Sequence, residues 1–456
     1  MKNNFLKHAL CVIFALTLLF ASVACDNSGS GSGNGGSSNG KDSESVEQSS
    51  GTAEKPEHLG LYVEDGVMMK DGKPFYGVGV NYYNLLNSAF SQKWDVTPSL
   101  NALETLKSYD VRVIRFNVSG YKYEEWNYVT KLENKYFETF DTIVKKAEEL
   151  EIGLIPSFFW SHGAVSDFFD EPSGTAYSQR DSKTTQFMLE FTEKVVKRYA
   201  ESPAIYGWEY SNEVNLVSDL PNWSPSPLPA TSKRSARTND DKMTTTHYHN
   251  GLKFWAETIR ENDPYNRMIC NGDAVQREYA WNLRQGNGWK LDTKEQYEKI
   301  LDYLHEDMTA VSSHIYANCG ASGWRTPTGL NSAIGLYTDW TSYLNFLMAE
   351  GKRMNKAVYL GETGFVYSDA KQSDADAGLD AAAKASVYEM IADTALATDF
   401  PLTLFWTYDH RPEYNPADVT DHSTGTEWSW NERWEKGEII LKKIREVNKA
   451  FDEKHK

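Results

Sequence analysis

Cysteine is scarce: four in 456 residues. One of them, Cys11, falls in the N-terminal apolar run, which leaves too few for a disulfide-built scaffold. No His/Cys spacing matches a zinc site. Positive charge is also in deficit. With Lys and Arg at 47 against 64 for Asp and Glu, the formal net charge is −17. Binding phosphate backbones requires basic patches, so this balance argues against a nucleic-acid partner. The chain also has no glycine-rich phosphate loop after its first strand candidate, where a doubly wound nucleotide-binding sheet would carry one. What it does have is aromatic surface: 14 Trp and 26 Tyr, flat side chains that suit both a core and a sugar ring.

The N-terminus reads as an export signal. Lys2 and Lys7 precede an apolar run from Ala9 to Phe20, short for a membrane span, which ends in the small residues Ser22-Val23-Ala24-Cys25. That tetrapeptide resembles a bacterial lipobox, with Ser22 in place of the usual Leu, and implies lipidation at Cys25. Simple cleavage after Ala24 is the alternative. Residues 26 to about 52 are dominated by Ser, Gly and Asn, a composition that buries too little to fold and makes a tether. The expected organisation is a signal peptide (1–24), a lipid-anchored linker (25–57) and one catalytic domain (58–456). The expected location is the cell surface or the outer face of a membrane, with the protein a monomer held by its lipid.

From His58 onward, short β-branched runs alternate with amphipathic segments. The strand candidates are Tyr76–Asn81, Val111–Asn117, Gly153–Phe159, Ile205–Ser211, Arg267–Asn271, Ala310–Tyr316, Ala357–Gly361 and Leu402–Trp406. Between them, Phe137, Phe140, Ile143, Val144, Ala147 and Leu150 share one helical face, as do Phe187, Phe191, Val195 and Val196. Eight such units over about 400 residues predict an α/β fold, a (β/α)8 TIM barrel. Leu61–Val63 and Val67–Met69, around Glu64-Asp65-Gly66, predict a short N-terminal β-hairpin that plugs the barrel bottom. Cys270 and Cys319 fall near the ends of neighbouring strands and read as two separate buried thiols, with a disulfide as the alternative. Asn117-Val118-Ser119 matches a glycosylation sequon but reads as the end of the second strand.

Catalytic residues of such a barrel belong at the C-terminal strand ends. The fourth strand ends Trp208-Glu209-Tyr210-Ser211-Asn212-Glu213, and the seventh ends Tyr359-Leu360-Gly361-Glu362. Two carboxylates across one mouth are what a glycosidic bond needs, one to protonate the leaving oxygen and one to attack. A retaining mechanism sets them about 5–5.5 Å apart. Glu209 reads as a partner for an interior arginine.

With these residues the chain resembles the large retaining clan of (β/α)8 glycoside hydrolases, and within it glycoside hydrolase family 5, the cellulase and mannanase family. The likeness covers nearly all of His58 to Lys456. It implies Glu213 as acid/base, Glu362 as nucleophile, and Arg115 as the residue that keeps the nucleophile ionised. It further implies His162, His314, Tyr316 and Trp406 as substrate-site residues, with Asn212 on the sugar 2-OH. The position after the acid/base, commonly Pro in the family, is Val214, and Trp160-Ser161-His162-Gly163 matches the third-strand motif imperfectly. The implied activity is endo-hydrolysis of a β-1,4-linked mannan or glucan, needing no cofactor or metal. A surface glycan-binding protein of the same fold is the alternative. The Pro-rich stretch from Asn215 to about Asp241 predicts a cleft wall, and the segments around Trp324 and from Tyr408 to Trp430 are expected on the same face.

Overall fold

The computed structural model describes residues 56–91, 93–318, 326–327, 336–365, 381–410, 430, 432 and 435–456. Cys25, Cys319, Trp324, the signal, the tether and residues 411–429 lie outside the described residues, so the expectations placed on them are not addressed by the fold.

The β-branched runs form the eight parallel strands of a barrel. These are β4 (Gly77–Asn81), β5 (Val113–Asn117), β6 (Gly153–Phe159), β7 (Gly207–Ser211), β8 (Met268–Cys270), β9 (Ala310–Asn318), β11 (Ala357–Phe365) and β12 (Leu402–Phe405). They pair in the order β9-β11-β12-β4-β5-β6-β7-β8. Between β8 and β9 the ring closes through Thr309 N donating to Ile269 O at 2.9 Å and through a parallel bridge from Ala274 to His314. A two-residue strand, β10 (Thr326–Pro327), pairs antiparallel with the end of β9.

Eight longer helices surround the barrel: α1 (Thr97–Ser108), α2 (Glu133–Leu150), α3 (Lys183–Tyr199), α4 (Thr245–Asn262), α5 (Lys294–Leu304), α6 (Trp340–Met354), α7 (Ala381–Thr398) and α8 (Glu435–Lys454). Side-chain caps start several of them, with Ser182, Thr244, Thr293 and Asp339 accepting from first-turn N–H groups. The apolar stripes on α2 and α3 face inward: Phe137, Phe140, Ile143, Phe191 and Val195 are all buried. Among the described residues no helix is long and apolar enough to cross a membrane.

The N-terminal hairpin is present and gains a strand. β1 (Tyr62–Glu64), β2 (Val67–Lys70) and β3 (Lys73–Pro74) make a small antiparallel sheet. It closes the bottom as expected: Leu61 and Met68 pack on Val113, Ile155, Met268, Ala310 and Leu402. Leu61 N also donates to Tyr206 O, and its own O accepts from Met268 N.

Candidate active site

The strand ends carry their polar side chains into the mouth for identifiable reasons. On β11 the register against β9 slips between Leu360 and Glu362, a bulge that turns Glu362 toward the mouth. The bulge falls on Gly361. A Cβ there would lie 2.7 Å from His314 Nε2, so glycine leaves room for the imidazole. On β7 the chain turns sharply: Glu213 takes a left-handed conformation with φ 54° and donates its N–H to Gly272 O at 2.8 Å. Gly272 itself has φ +77°, and a Cβ on it would strike Ser211 O at 2.0 Å. Backbone in uncommon conformations at a strand end is a feature functional sites share.

Arg115 lies at the centre, fully buried. Its Nε donates to Glu209 Oε1 and its Nη1 to Glu362 Oε1, each at 2.6 Å. Nη1 also donates to Asn81 Oδ1, and Nη2 to Asn212 Oδ1, each at 2.9 Å. The Trp160 ring covers the guanidinium at 4.6 Å. Burial works against the Arg115 charge, but Glu209 and Glu362 outweigh it and its pKa is raised.

Glu362 is held on both oxygens, Oε1 by Arg115 and Oε2 by the Tyr316 hydroxyl at 2.6 Å. His314 Nδ1 lies 3.2 Å from Glu213 Oε1 and 3.6 Å from Glu362 Oε1. Burial lowers the His314 pKa to about 4, so the imidazole is neutral between the two carboxyls. One ligand-type atom each of Glu213, His314 and Glu362 falls within a span of 4.8 Å.

Burial pushes the Glu213 carboxyl up to about 7, with Arg115 pulling the other way. The Glu362 carboxyl is also raised by burial, against the pull of Arg115 and the Tyr316 hydroxyl. Arg115 does act to lower Glu362, as expected, and burial outweighs it so that the net direction is upward. The order of ionisation survives. Only Glu362 holds a direct ion pair and a phenol hydrogen bond, both of which favour its charged form, while Glu213 keeps its proton to near neutrality.

Three rings stand beside the pair. Trp406, just past β12, stacks at 5.7 Å on both Trp160 and Tyr83, with interplanar angles of 27° and 24°. The arrangement offers aromatic faces at the mouth, suited to the apolar side of a pyranose.

The structure thus gathers Arg115, Asn212, Glu213, His314, Tyr316 and Glu362 into one contact network, with Trp406 joined through Trp160. Among the described residues, His162 makes no hydrogen bond or ion pair to this network. It begins a short helix (His162–Phe168) and feels Arg237 of the β7 loop, its pKa lowered to about 4 by burial first and that charge second. Several site residues escaped the sequence reading. Asn81 links Arg115 to Gly361 O at 2.8 Å. Tyr121, half-buried after β5, has its phenol raised by burial first, then by Glu125 and by Glu213. Asp273, pushed up to about 8 by burial, accepts from Tyr248 at 2.7 Å. Asn81 ends a strand as the catalytic residues do; Tyr121 and Asp273 carry no local signal. Glu209 pairs with Arg115 as its position suggested, and its other oxygen accepts from Tyr359 at 2.5 Å. Cys270 is a free buried thiol 3.0 Å from that same Tyr359 hydroxyl. Asn117 is buried at the end of β5, as read from the sequon.

As a metal site the Glu213–His314–Glu362 trio is poor, because a dication would sit against the guanidinium already 2.6 Å from Glu362. The other cluster of ligand types, His249, Glu306 and Asp307, lies partly exposed and away from the mouth.

A parallel (β/α)8 barrel with a buried and a half-buried carboxyl facing each other at its C-terminal end defines the class of barrel glycosidases. The model of the family described as Cellulase (glycosyl hydrolase family 5) matches residues 70–398. The chain belongs to glycosyl hydrolase family 5, and is a glycoside hydrolase. Among solved structures it is similar to the endo-1,4-beta-mannanase of Rhizomucor miehei, at 17% identity and TM-score 0.56, covering 86% of this chain and 99% of that one. A family 5 mannosidase from Rhizomucor miehei aligns at 14% identity and TM-score 0.58, covering 88% of this chain and 100% of that one. An exo-beta-1,4-mannosidase from Opitutaceae bacterium strain TAV5 aligns at 16% and 0.55, covering 86% of this chain and 63% of that one. At such identities the likeness speaks for the fold. A comparison with curated proteins gives no match.

Proposed function

We propose that this glycoside hydrolase is a retaining, endo-acting enzyme that cleaves a β-1,4-linked polysaccharide, mannan or glucan, by double displacement. The observation that carries the reading is the Glu213–Glu362 pair. One oxygen of each falls within the 4.8 Å span of the cluster, near the close spacing of a nucleophile and an acid/base. An inverting pair needs about 6.5–9.5 Å to admit a water.

In the first step a Glu362 oxygen attacks the anomeric carbon while Glu213 delivers its proton to the departing glycosidic oxygen. The bond to the leaving sugar breaks as the ester to Glu362 forms. In the second step Glu213, now ionised, takes a proton from water; the hydroxyl adds to the anomeric carbon and Glu362 leaves as carboxylate. Arg115 and Tyr316 steady the nucleophile's charge at both ends of the cycle. Asn212, with its Oδ1 fixed on Arg115, offers its Nδ2 donor to the sugar 2-OH, a contact that strengthens in the transition state. Trp406 and Trp160 floor the reacting ring. Mannan is the first polymer to test, since solved neighbours of this barrel carry mannanase names.

The same reading makes the chain an exported monomer, lipidated at Cys25 and tethered by the Ser/Gly segment at the cell surface. Reducing-end release by the domain starting at His58 tests the activity on mannans, glucans, xylans and aryl β-glycosides. Shortening of one β-1,4 polymer into oligosaccharides is the expected result. Silence on all of them, with unchanged glycan binding in Glu362→Ala, would favour a binding protein instead.

A further inference from the structure

Trp289 is 39% exposed, the largest of the few big apolar side chains left open to solvent among the described residues. Its setting is not that of a stray surface residue. Residues 271–293 run from the C-terminal end of β8 to the start of α5, so they stand on the catalytic end of the barrel. Their turn is braced from within. The Asp292 carboxylate, 2% exposed, accepts from the N–H of Trp281 at 2.8 Å, the N–H of Asn282 at 3.0 Å and Asn282 Nδ2 at 2.9 Å. Asn287 N donates to Asn282 O at 2.8 Å, and Asp292 N to Glu278 O at 2.8 Å. Gly286 and Gly288, both left-handed, make the tight turn that presents Trp289. The indole meets the Tyr279 ring edge to face at 4.9 Å and 85°.

This pedestal is also fastened to the loop that carries the acid. Arg277 Nη2 donates to Asn215 O at 2.9 Å and to Ser218 O at 2.6 Å. Asn215 exchanges hydrogen bonds with the backbone of Ala274, and Glu213 N is bound to Gly272 O. The leaving half of a substrate extends on the side of the group that protonates it, here Glu213 and the β7 and β8 loops. From this placement we infer that Trp289, with Tyr279, forms a distal sugar subsite for the leaving-group side of a β-glycan chain. A rigid aromatic face takes a pyranose ring at small entropic cost, because the ring is ordered before the sugar arrives.

The inference rests on Glu213 being the acid of the proposed reaction, and two arms keep the two readings apart. In the kinetic arm, Trp289→Ala lowers the ratio of polymer to aryl-glycoside kcat/KM by roughly three- to tenfold, and Trp289→Phe restores most of it. An unaltered ratio would overturn the subsite. In the binding arm, Glu362→Ala is titrated calorimetrically with mannohexaose and cellohexaose, with and without Trp289→Ala. Tighter binding of one hexasaccharide when Trp289 is present supports the subsite even if the wild-type chain proves inactive; equal affinities for both sugars overturn it.

Discussion

Arg115 is buried between two carboxylates and donates to four side chains, Glu209, Asn81, Glu362 and Asn212. Removing it strands two buried negative charges, so Arg115→Ala is expected to lose about 3–5 kcal/mol of stability in urea unfolding along with nearly all turnover. Arg115→Lys keeps the charge but not the planar fork, and should leave a folded protein with strongly reduced kcat. Glu362→Ala and Glu213→Ala are each expected to fold with turnover largely abolished. Azide should partly rescue Glu362→Ala, giving a glycosyl azide of inverted configuration; near-normal hydrolysis by either variant would sink the assignment. The Glu213 carboxyl, raised to about 7, works as an acid only while protonated, so kcat/KM should fall as pH rises through about 7. The same shift has a stability sign. A carboxyl with a raised pKa favours the folded state at low pH, and that contribution is lost as pH rises toward 7. Glu213→Gln should therefore stabilise the fold at pH 8, by about 3 kcal/mol at most, seen as a higher Tm, and change it little at pH 4. At this scale the sequence was informative wherever a reactive side chain ended a strand: Arg115, Glu213, Tyr316 and Glu362 met as expected. Asn81 ends a strand in the same way but was not singled out, and Tyr121 and Asp273 were not legible, because their roles come from contacts made by other strands and loops.

The elements around the site explain what holds its walls. The insertion after β7 is not a loose Pro-rich loop. Arg237 forms a two-point pair with Asp167, at 2.8 and 2.7 Å, and Arg234 pairs with Asp241. Ser232 Oγ reaches Asp170 at 2.6 Å, so the wall is bolted to the segment that follows β6. Both members of the Arg237–Asp167 pair are nearly buried, which makes Arg237→Ala a costly break, about 3 kcal/mol. Trypsin should then cut near Lys233 and Arg234 much faster than in wild type, and KM for polymer should rise. Proline content and length announced a wall here; that Arg237 folds back on an aspartate 70 positions away in sequence was not written locally. The bulge at Gly361 was likewise hidden. The seventh strand candidate ended at Gly361, yet β11 runs on to Phe365 because Glu362–Phe365 resume pairing with His314–Ala317 after the slip. Gly361→Ala should displace His314 and cut kcat while leaving the fold intact.

For the molecule as a whole, the alternation of β-branched runs with amphipathic segments carried the barrel, and each strand candidate overlaps an observed strand. Periodicity is a local signal, so it held where side chains are buried on both faces of a strand. It did not carry the third strand of the N-terminal sheet, only two residues long, nor the way β8 and β9 meet through backbone bonds beyond the end of β8. The tether belongs to this scale too. If Cys25 carries the lipid, Cys25→Ala should release active enzyme into the medium, checked by fractionation with labelled fatty acid. The most direct test of the account is the stereochemistry of the first product, followed by proton NMR as the domain cleaves its polymer. A double displacement at Glu362 predicts that the β-anomer appears first and then mutarotates. An α-anomer appearing first would contradict the mechanism.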